Sequence, residues 1–486
     1  MSNIQPELAP AARAVIDLLA SGGDERIVLD PETGLNRYYS SPYPRPITAY
    51  ASSTANDLSP AAFAHVSELA AAPRASYDER LERLRVRIRA AYRLPGTCEI
   101  VFAPSGTDLE YVALAAVADQ AGGGIHNVLL GADEVVSGCR LSAHGMYFAA
   151  TTVRGVPTVP GAPVAGLDQV TMVDVPVRSA NGLARSSEAV AADILFEIRN
   201  ARTNGRRALV HVVHGSKTGM ILPQPIELDS LEDEEGGNFS LVVDACQGRI
   251  TAEAVHDYLE RGAIVFLTGS KFMGGPPFSG FALVPRQMAK RAVPLAAGLA
   301  DVFRRAEWPQ HWPGRDQLAD EDNPGLWLRL EASVFELERF QALPIAAIER
   351  IVGAFEEALD RHVVAELDVV RVDPSAPGRE GQVRAHPIEM RTLTTLDVSG
   401  LPGTQTFDEA QALHHRLALD GLRLGQPARS VRTAEGHWAG TLRVGLSMPQ
   451  LVAWSHLTDA ELRDELSRGM AEIADALRRV GREEAA

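Results

Sequence analysis

The 486-residue sequence predicts an α/β protein built on a mostly parallel seven-stranded sheet, followed by a smaller C-terminal α+β domain. Three observations lead there. Seven short, β-branched apolar runs recur between residues 98 and 285, most of them separated by helical or loop stretches, and such alternation gives parallel strands covered on both faces. The last two runs, AIVFLT and GFALVP, are joined by the Gly- and Pro-rich stretch GSKFMGGPPFSG, which is too short for a helical crossover, so the final strand runs antiparallel. Beyond about residue 345, helical patterns mix with isolated strand runs, as expected of a separate, smaller layer.

Taken in order, residues 1–50 are irregular and Pro-rich around SSPYPRPITAY and read as an N-terminal arm. Residues 51–300 read as the large domain. In it YDERLERLRVRIRAAYRL carries Leu81, Leu84, Ile88 and Ala91 as one apolar helical stripe. The strand CEIVFA, the tight loop PSGT and the helix DLEYVALAAVADQ follow, and then the strands HNVLL, QVTMVDV, ALVHVV, SLVVDA, AIVFLT and GFALVP. Residues 301–345 contain FRRAEWPQHWPGRDQLADEDNPGLW, polar with several tryptophans, and read as a long surface loop and a linker helix; the loop is a candidate for shaping a bulky substrate pocket or a subunit interface. Residues 346–486 form the small domain, with EMRTLTTLDVSG and TLRVGLS as strands. Its helices include FDEAQALHHRLALDG and a last helix opened by the capping box Thr458 and Glu461, with Leu462, Leu466, Ile473 and Leu477 on one face.

Composition narrows the function. Hydrophobic residues are 45% and charged residues 23%, an ordinary globular balance. A formal charge of -16 argues against a nucleic-acid partner, which needs clustered cations, and favours a small-molecule ligand. No stretch reaches the roughly 18 apolar residues of a membrane span, and the first residues lack a secretory pattern, so a cytoplasmic protein is expected. Cys98, Cys139 and Cys246 form no close pair, which indicates neither disulfides nor a metal site. Only Lys217, Lys271 and Lys290 are lysines, so few amines are present to act as nucleophiles.

Four pieces fall at strand ends in a fixed order: SGTD at 105–108, HGSKTG at 214–219, DACQG at 244–248 and TGSK at 268–271. Ligands of open α/β sheets sit beyond the carboxyl ends of the strands, where all four lie. The backbone N–H groups of Gly106 and Thr107 at a helix start, with the hydroxyls beside them, suit a phosphate, and make Ser105, Gly106 and Thr107 the candidate cradle. GSKTG is not a Walker A loop, because Ser216 stands where that motif needs glycine, and Lys217 reads as a loop lysine.

As a set, and over about residues 95–290 with a further match at TLRVGLS, these pieces resemble the pyridoxal-5'-phosphate (PLP) enzymes of the aspartate-aminotransferase fold, fold type I. The likeness is narrower still to the branch of class V aminotransferases, cysteine desulfurases and kynureninase. It implies that Lys271 carries the cofactor as a Schiff base and later serves as general base at the substrate Cα. It implies further that Asp244 keeps the pyridine nitrogen protonated, Gln247 bonds the phenolic oxygen, and Thr268 and Ser270 contact the phosphate. Ser216 falls near the family's asparagine at the ring oxygen, and Arg443 matches the arginine that grips an amino acid's carboxylate. The ring-stacking residue is unassigned: Glu134 stands where the family often has histidine, and His144 reads as a packed side chain. The resemblance also implies a homodimer. Cysteine desulfurases use a cysteine between the lysine and the arginine; none follows Cys246 here, which turns the expectation from persulfide chemistry to β-elimination on a Cβ-substituted amino acid, a carbon-sulfur lyase type. Transamination, a decarboxylating or deaminating variant, and a catalytically silent PLP-fold protein are the alternatives.

Overall fold

The computed structural model describes residues 9–73, 75–118, 122–132, 134–135, 138–376 and 392–483. Its strands in chain order are β1 (Thr48–Tyr50), β2 (Glu99–Ala103), β3 (Ile125–Leu130), β4 (Val170–Val175), β5 (Arg207–His214), β6 (Ile221–Leu222) and β7 (Phe239–Asp244). There follow β8 (Ile264–Thr268), β9 (Gly280–Val284), β10 (Val370–Val372), β11 (Leu393–Asp397), β12 (Leu422–Leu424) and β13 (Thr441–Gly445). The large sheet runs β2-β9-β8-β7-β5-β3-β4, with the short β6 added to the end of β5. β9 is antiparallel to both β2 and β8, while β8, β7, β5, β3 and β4 pair in parallel. The sheet is therefore the fold class expected from the sequence, down to the reversed strand after the lysine turn.

Both faces are covered, and this is why the strands read as unbroken apolar runs. Helix Leu109–Val117 is buried along its whole length, with Val101, Leu209, Val242 and Phe266 of the sheet in the same apolar cluster. The opposite cluster joins Val210, Val243 and Leu267 to helices Tyr77–Ala91, Ser187–Thr203 and Pro324–Gln341. Helix Tyr77–Ala91 starts where Ser76 and Glu79 satisfy each other's backbone N–H, and Leu81, Leu84 and Ile88 face inward as its stripe requires.

The segment read as a surface loop is instead core. Phe303, Trp308, Trp312 and Leu318 join the cluster of helix Leu109–Val117, with Trp308 fully buried. Its polar letters mislead because several arginines point inward to satisfy loop carbonyls. Arg315 Nε donates to Arg305 O at 2.8 Å, and Arg85 Nη2 donates to Ala306 O at 2.8 Å. These tryptophans therefore line no substrate pocket.

Beyond it, helix Pro324–Gln341 and helix Ile345–Leu359 break at Pro344. A three-stranded antiparallel sheet, β10-β11-β13, follows, and β12 pairs in parallel with β1 from the start of the chain. Helix Pro10–Leu19 packs on helix Pro324–Gln341. Residues 10–50 are thus tied at both ends, and Ala51 bridges to Gly445 at the end of β13.

Candidate active site

All four motif pieces emerge at the carboxyl ends of strands of the large sheet: β2 leads to Ser105, β5 to Ser216, β7 ends in Asp244, and β8 leads to Lys271, with β5, β7 and β8 neighbours and β9 between β8 and β2. The Lys271 turn is fixed by its backbone. Gly269 N donates to Ser279 O at 2.8 Å, Gly275 N to Gly269 O at 2.8 Å, and Gly274 N to Lys271 O at 2.9 Å. Asn56 Nδ2 clamps the same carbonyl at 2.6 Å and that of Ser270 at 3.2 Å. Glycine is required at 269, because a Cβ there would come within 2.0 Å of Ser333 Oγ on helix Pro324–Gln341. Lys271 is half-buried on this rigid bend.

The 105–108 loop meets that turn directly. A Cβ on Gly106 would lie 3.1 Å from Thr268 Cγ2 and 3.3 Å from Cys246 Sγ, so the loop, the end of β8 and the DACQG turn touch one another. Thr268 Oγ1 donates to Cys246 O at 2.7 Å, and Ser270 Oγ sits 3.3 Å from Thr268 Oγ1. Ser105 Oγ donates to Asp108 Oδ2 at 2.6 Å, while burial raises the Asp108 carboxyl to about 6. Thr107 Oγ1 is buried and has no hydrogen-bond partner among the described residues. An orphaned hydroxyl beside helix-start N–H groups fits a phosphate.

Asp244 Oδ1 accepts from Cys246 N at 2.9 Å, and the Cys246 thiol also hydrogen-bonds the carboxylate. Register places Asp244 of β7 opposite Phe266 of β8, and His211 of β5 opposite Val242 of β7, so His211 and Asp244 share a face of the sheet. Under them Glu110 Oε2 lies 3.3 Å from His211 Nε2, both side chains 2% exposed. Burial, reinforced by Asp244, pushes Glu110 well above the usual carboxyl range, and burial brings His211 down to about 3. Burial thus disfavours the charged form of both members of this pair. The thiols of Cys139 and Cys246 feel both the Asp244 carboxylate and the Lys271 ammonium, which brings these two groups to one place. Burial raises both thiols well above their ordinary pKa, so neither is a ready nucleophile.

Gln247 is buried, donating from Nε2 to Ser53 O at 3.2 Å. Arg443 enters from β13. Its Nε donates to Gln426 O at 2.6 Å, Nη1 to Lys217 O at 3.1 Å, and Nη2 to Thr54 Oγ1 at 3.2 Å. It is 3% exposed, with no carboxylate in salt-bridge contact among the described residues. Burial lowers its pKa to about 10, so it stays a cation at neutral pH. A buried guanidinium held by neutral acceptors suits an incoming carboxylate.

Ser216 departs from the expected role at a ring oxygen. Its hydroxyl donates to Glu134 Oε2 at 2.7 Å and accepts from Met220 N at 3.1 Å, so both directions are committed. Glu134 is in turn held by Arg178 Nη2 at 2.8 Å and by Thr218 N at 3.1 Å. It is a structural anion, not a ring-stacking group. His144 caps helix Cys139–Ala143 and is half-buried, as expected of a packed side chain. Lys217 is also no ordinary loop lysine. Burial draws it down to about 8, with Glu134 opposing and Arg443 and Lys271 adding to the shift. Residues 133, 136 and 137 of the stretch searched for a stacking side chain lie outside the described residues.

Sequence reading missed Asn56, Ser53, Glu110, His211, Arg178 and Arg249. A histidine inside the apolar run ALVHVV was the one available signal, since a strand buried on both faces leaves an imidazole without water.

The sequence matches no protein-family model and no curated protein. Among solved structures, the cysteine desulfurase of Thermococcus onnurineus NA1 shares 16% identity over 88% of this chain and 95% of its own, with a TM-score of 0.53. The cysteine desulfurase CsdA of Escherichia coli gives 15% identity, 89% and 95% coverage and a TM-score of 0.52. The pyridoxamine-pyruvate aminotransferase of Mesorhizobium loti gives 15% identity, 90% and 99% coverage and 0.50. At these identities the likeness establishes the fold, that of the fold-type I PLP enzymes.

Proposed function

We propose that this chain is a PLP-dependent enzyme acting on an amino acid, with Lys271 as the cofactor's covalent attachment and β-elimination from a Cβ-substituted substrate as the reaction. One observation carries the reading: a rigid turn holding a half-buried lysine, a strand-end carboxylate, and a helix-start loop with an orphaned hydroxyl all lie at the carboxyl edge of one sheet. PLP, when bound, supplies an electron sink for charge developing at the substrate Cα.

The chain's own residues supply the rest. Ser105, Gly106 and Thr107, with Ser270, would hold the phosphate, while Thr268 Oγ1, whose proton goes to Cys246 O, would support Ser270 beside it. Asp244 would keep a proton at the pyridine nitrogen, and the burial that disfavours charge on Glu110 and His211 beneath it favours that role. Gln247 would hydrogen-bond the phenolic oxygen. Arg443 fixes the substrate carboxylate, which orients the Cα proton toward Lys271 as base. The three described cysteines are buried, which supports elimination over transfer of sulfur through a protein thiol.

The test is reconstitution with PLP followed by a panel of cysteine conjugates. Release of pyruvate and ammonia is the expected result. Exchange of amino groups with an oxoacid, and no pyruvate, would assign transamination instead. Failure to take up PLP would end the reading.

A further inference from the structure

Two residues beyond Gln247, Arg249 is fully buried, and its guanidinium makes no ion pair with a carboxylate among the described residues. Every partner is neutral. Nε donates to Thr392 Oγ1 at 3.0 Å, Nη1 to Gln247 Oε1 at 2.8 Å, and Nη2 to Ser52 Oγ at 2.7 Å and to Leu446 O at 3.1 Å. Its plane lies 5.0 Å from the centroid of Phe272, the residue after Lys271. Phe272 N donates to Gln247 O at 3.2 Å, and Met448 N donates to Phe272 O at 2.7 Å.

A buried cation without an anion is costly, so its placement needs a reason. A guanidinium only donates hydrogen bonds. The Gln247 amide must therefore turn its oxygen toward Arg249 and its NH2 away. One N–H of that NH2 goes to Ser53 O at 3.2 Å, which leaves the other for the site. Without Arg249 only the 3.2 Å bond to Ser53 O would hold the amide in this sense, and the flipped amide would present its oxygen. Burial lowers Arg249 to about 9, with Arg443 adding to the shift, so at neutral pH the fork stays charged and donor-only.

We propose that Arg249 is a positioning residue that locks Gln247 into presenting an N–H donor to the cofactor's phenolic oxygen, and that ties this orientation to the 52–54 and 446–448 segments closing over the site. The inference rests on the PLP reading above for what Gln247 faces. The lock itself rests on the four donations of the guanidinium.

The test is a double-mutant cycle on the reconstituted protein, read as the pH midpoint of the bound cofactor's visible absorbance. A donor to the phenolic oxygen stabilises its anion most when the neighbouring nitrogen is unprotonated, and so lowers that midpoint. Arg249→Met and Gln247→Ala should each raise it by about one pH unit, the scale of one charge-assisted hydrogen bond. The double variant should move no further than Gln247→Ala alone. Additive shifts, or a midpoint unmoved by Arg249→Met while Gln247→Ala moves it, would overturn the proposal. Arg249→Lys keeps the charge without the fork; if the Met variant does not fold, the Lys variant is expected to show the same non-additive shift, and an unshifted midpoint counts equally against the lock. Hydrogen exchange on the cofactor-free protein separates the two layers. Arg249→Lys should speed exchange at 52–54, 247 and 446–448 together, whatever binds there; acceleration near 249 alone would refute the coupling. Absence of PLP uptake by the parent protein would instead defeat the underlying reading.

Discussion

Gly106→Ala probes the phosphate loop with the smallest possible change. The added methyl would sit 3.1 Å from Thr268 Cγ2 and 3.3 Å from Cys246 Sγ, inside ordinary carbon contact by a few tenths of an ångström. Overpacking of that kind costs about 1–3 kcal/mol, and the lower entropy of the unfolded alanine chain returns about 0.4–1 kcal/mol. Folding should thus weaken by no more than about 2.6 kcal/mol. Cofactor binding should suffer more, because the methyl pushes on Thr268 and spreads the loop whose N–H groups and Thr107 hydroxyl would meet the phosphate. Losing one hydrogen bond to a charged group is worth about 1.5–3 kcal/mol, a fall in PLP affinity of about ten- to a hundredfold. Fluorescence titration with PLP, beside a urea melt, measures both. Affinity within twofold of the parent, with a folded protein, would show that the loop is a plain strand-to-helix turn.

Arg443→Lys removes the fork but keeps a charge; the dissociation constant for amino acids, read from the cofactor's spectral change, should rise about ten- to a hundredfold with PLP uptake unchanged. Glu307, fully buried, is held up to about 7 by that burial, so the folded state keeps a proton that the unfolded chain releases near 4.5. Its contribution to stability is complete below that lower value and is lost as pH rises through 7, about 3 kcal/mol in all. Glu307→Gln should flatten this decline between pH 4.5 and 8 in urea melts, and an unchanged slope would show that Glu307 is ionised in the fold. Trp308→Ala should cost about 3–5 kcal/mol of stability, as expected for an aromatic deleted from a packed core, and should leave PLP affinity unchanged. A preserved melt with altered substrate preference would return that segment to the pocket.

The sheet was legible because each strand is buried on both faces and so reads as a continuous β-branched run, from CEIVFA to GFALVP. The antiparallel step to β9 followed from turn length alone. Lys271, Asp244 and the SGTD loop were legible because they stand where such runs stop. What escaped is what long-range packing decides. Glu110 sits in an apolar helix and His211 in an apolar strand, and only the folded chain puts them 3.3 Å apart under Asp244. Arg249 and Asn56 act through partners roughly 200 residues away, such as Ser52 at a separation of 197 and Lys271 at 215. Residues 301–320 were misread because arginine marks exposure only when it does not turn inward to satisfy carbonyls, as Arg85 and Arg315 do. Ser216 was drawn toward the ring by its place in HGSKTG, whereas the fold gives its hydroxyl to Glu134.

The most direct measurement is covalent mapping: incubate the protein with PLP, reduce with borohydride, digest, and locate the pyridoxyl group by mass. With only three lysines in the chain the outcome is unambiguous. The label is expected on Lys271, and the Lys271→Ala variant should carry none; a label on Lys217 or Lys290, or no label at all, would contradict the assignment of this site.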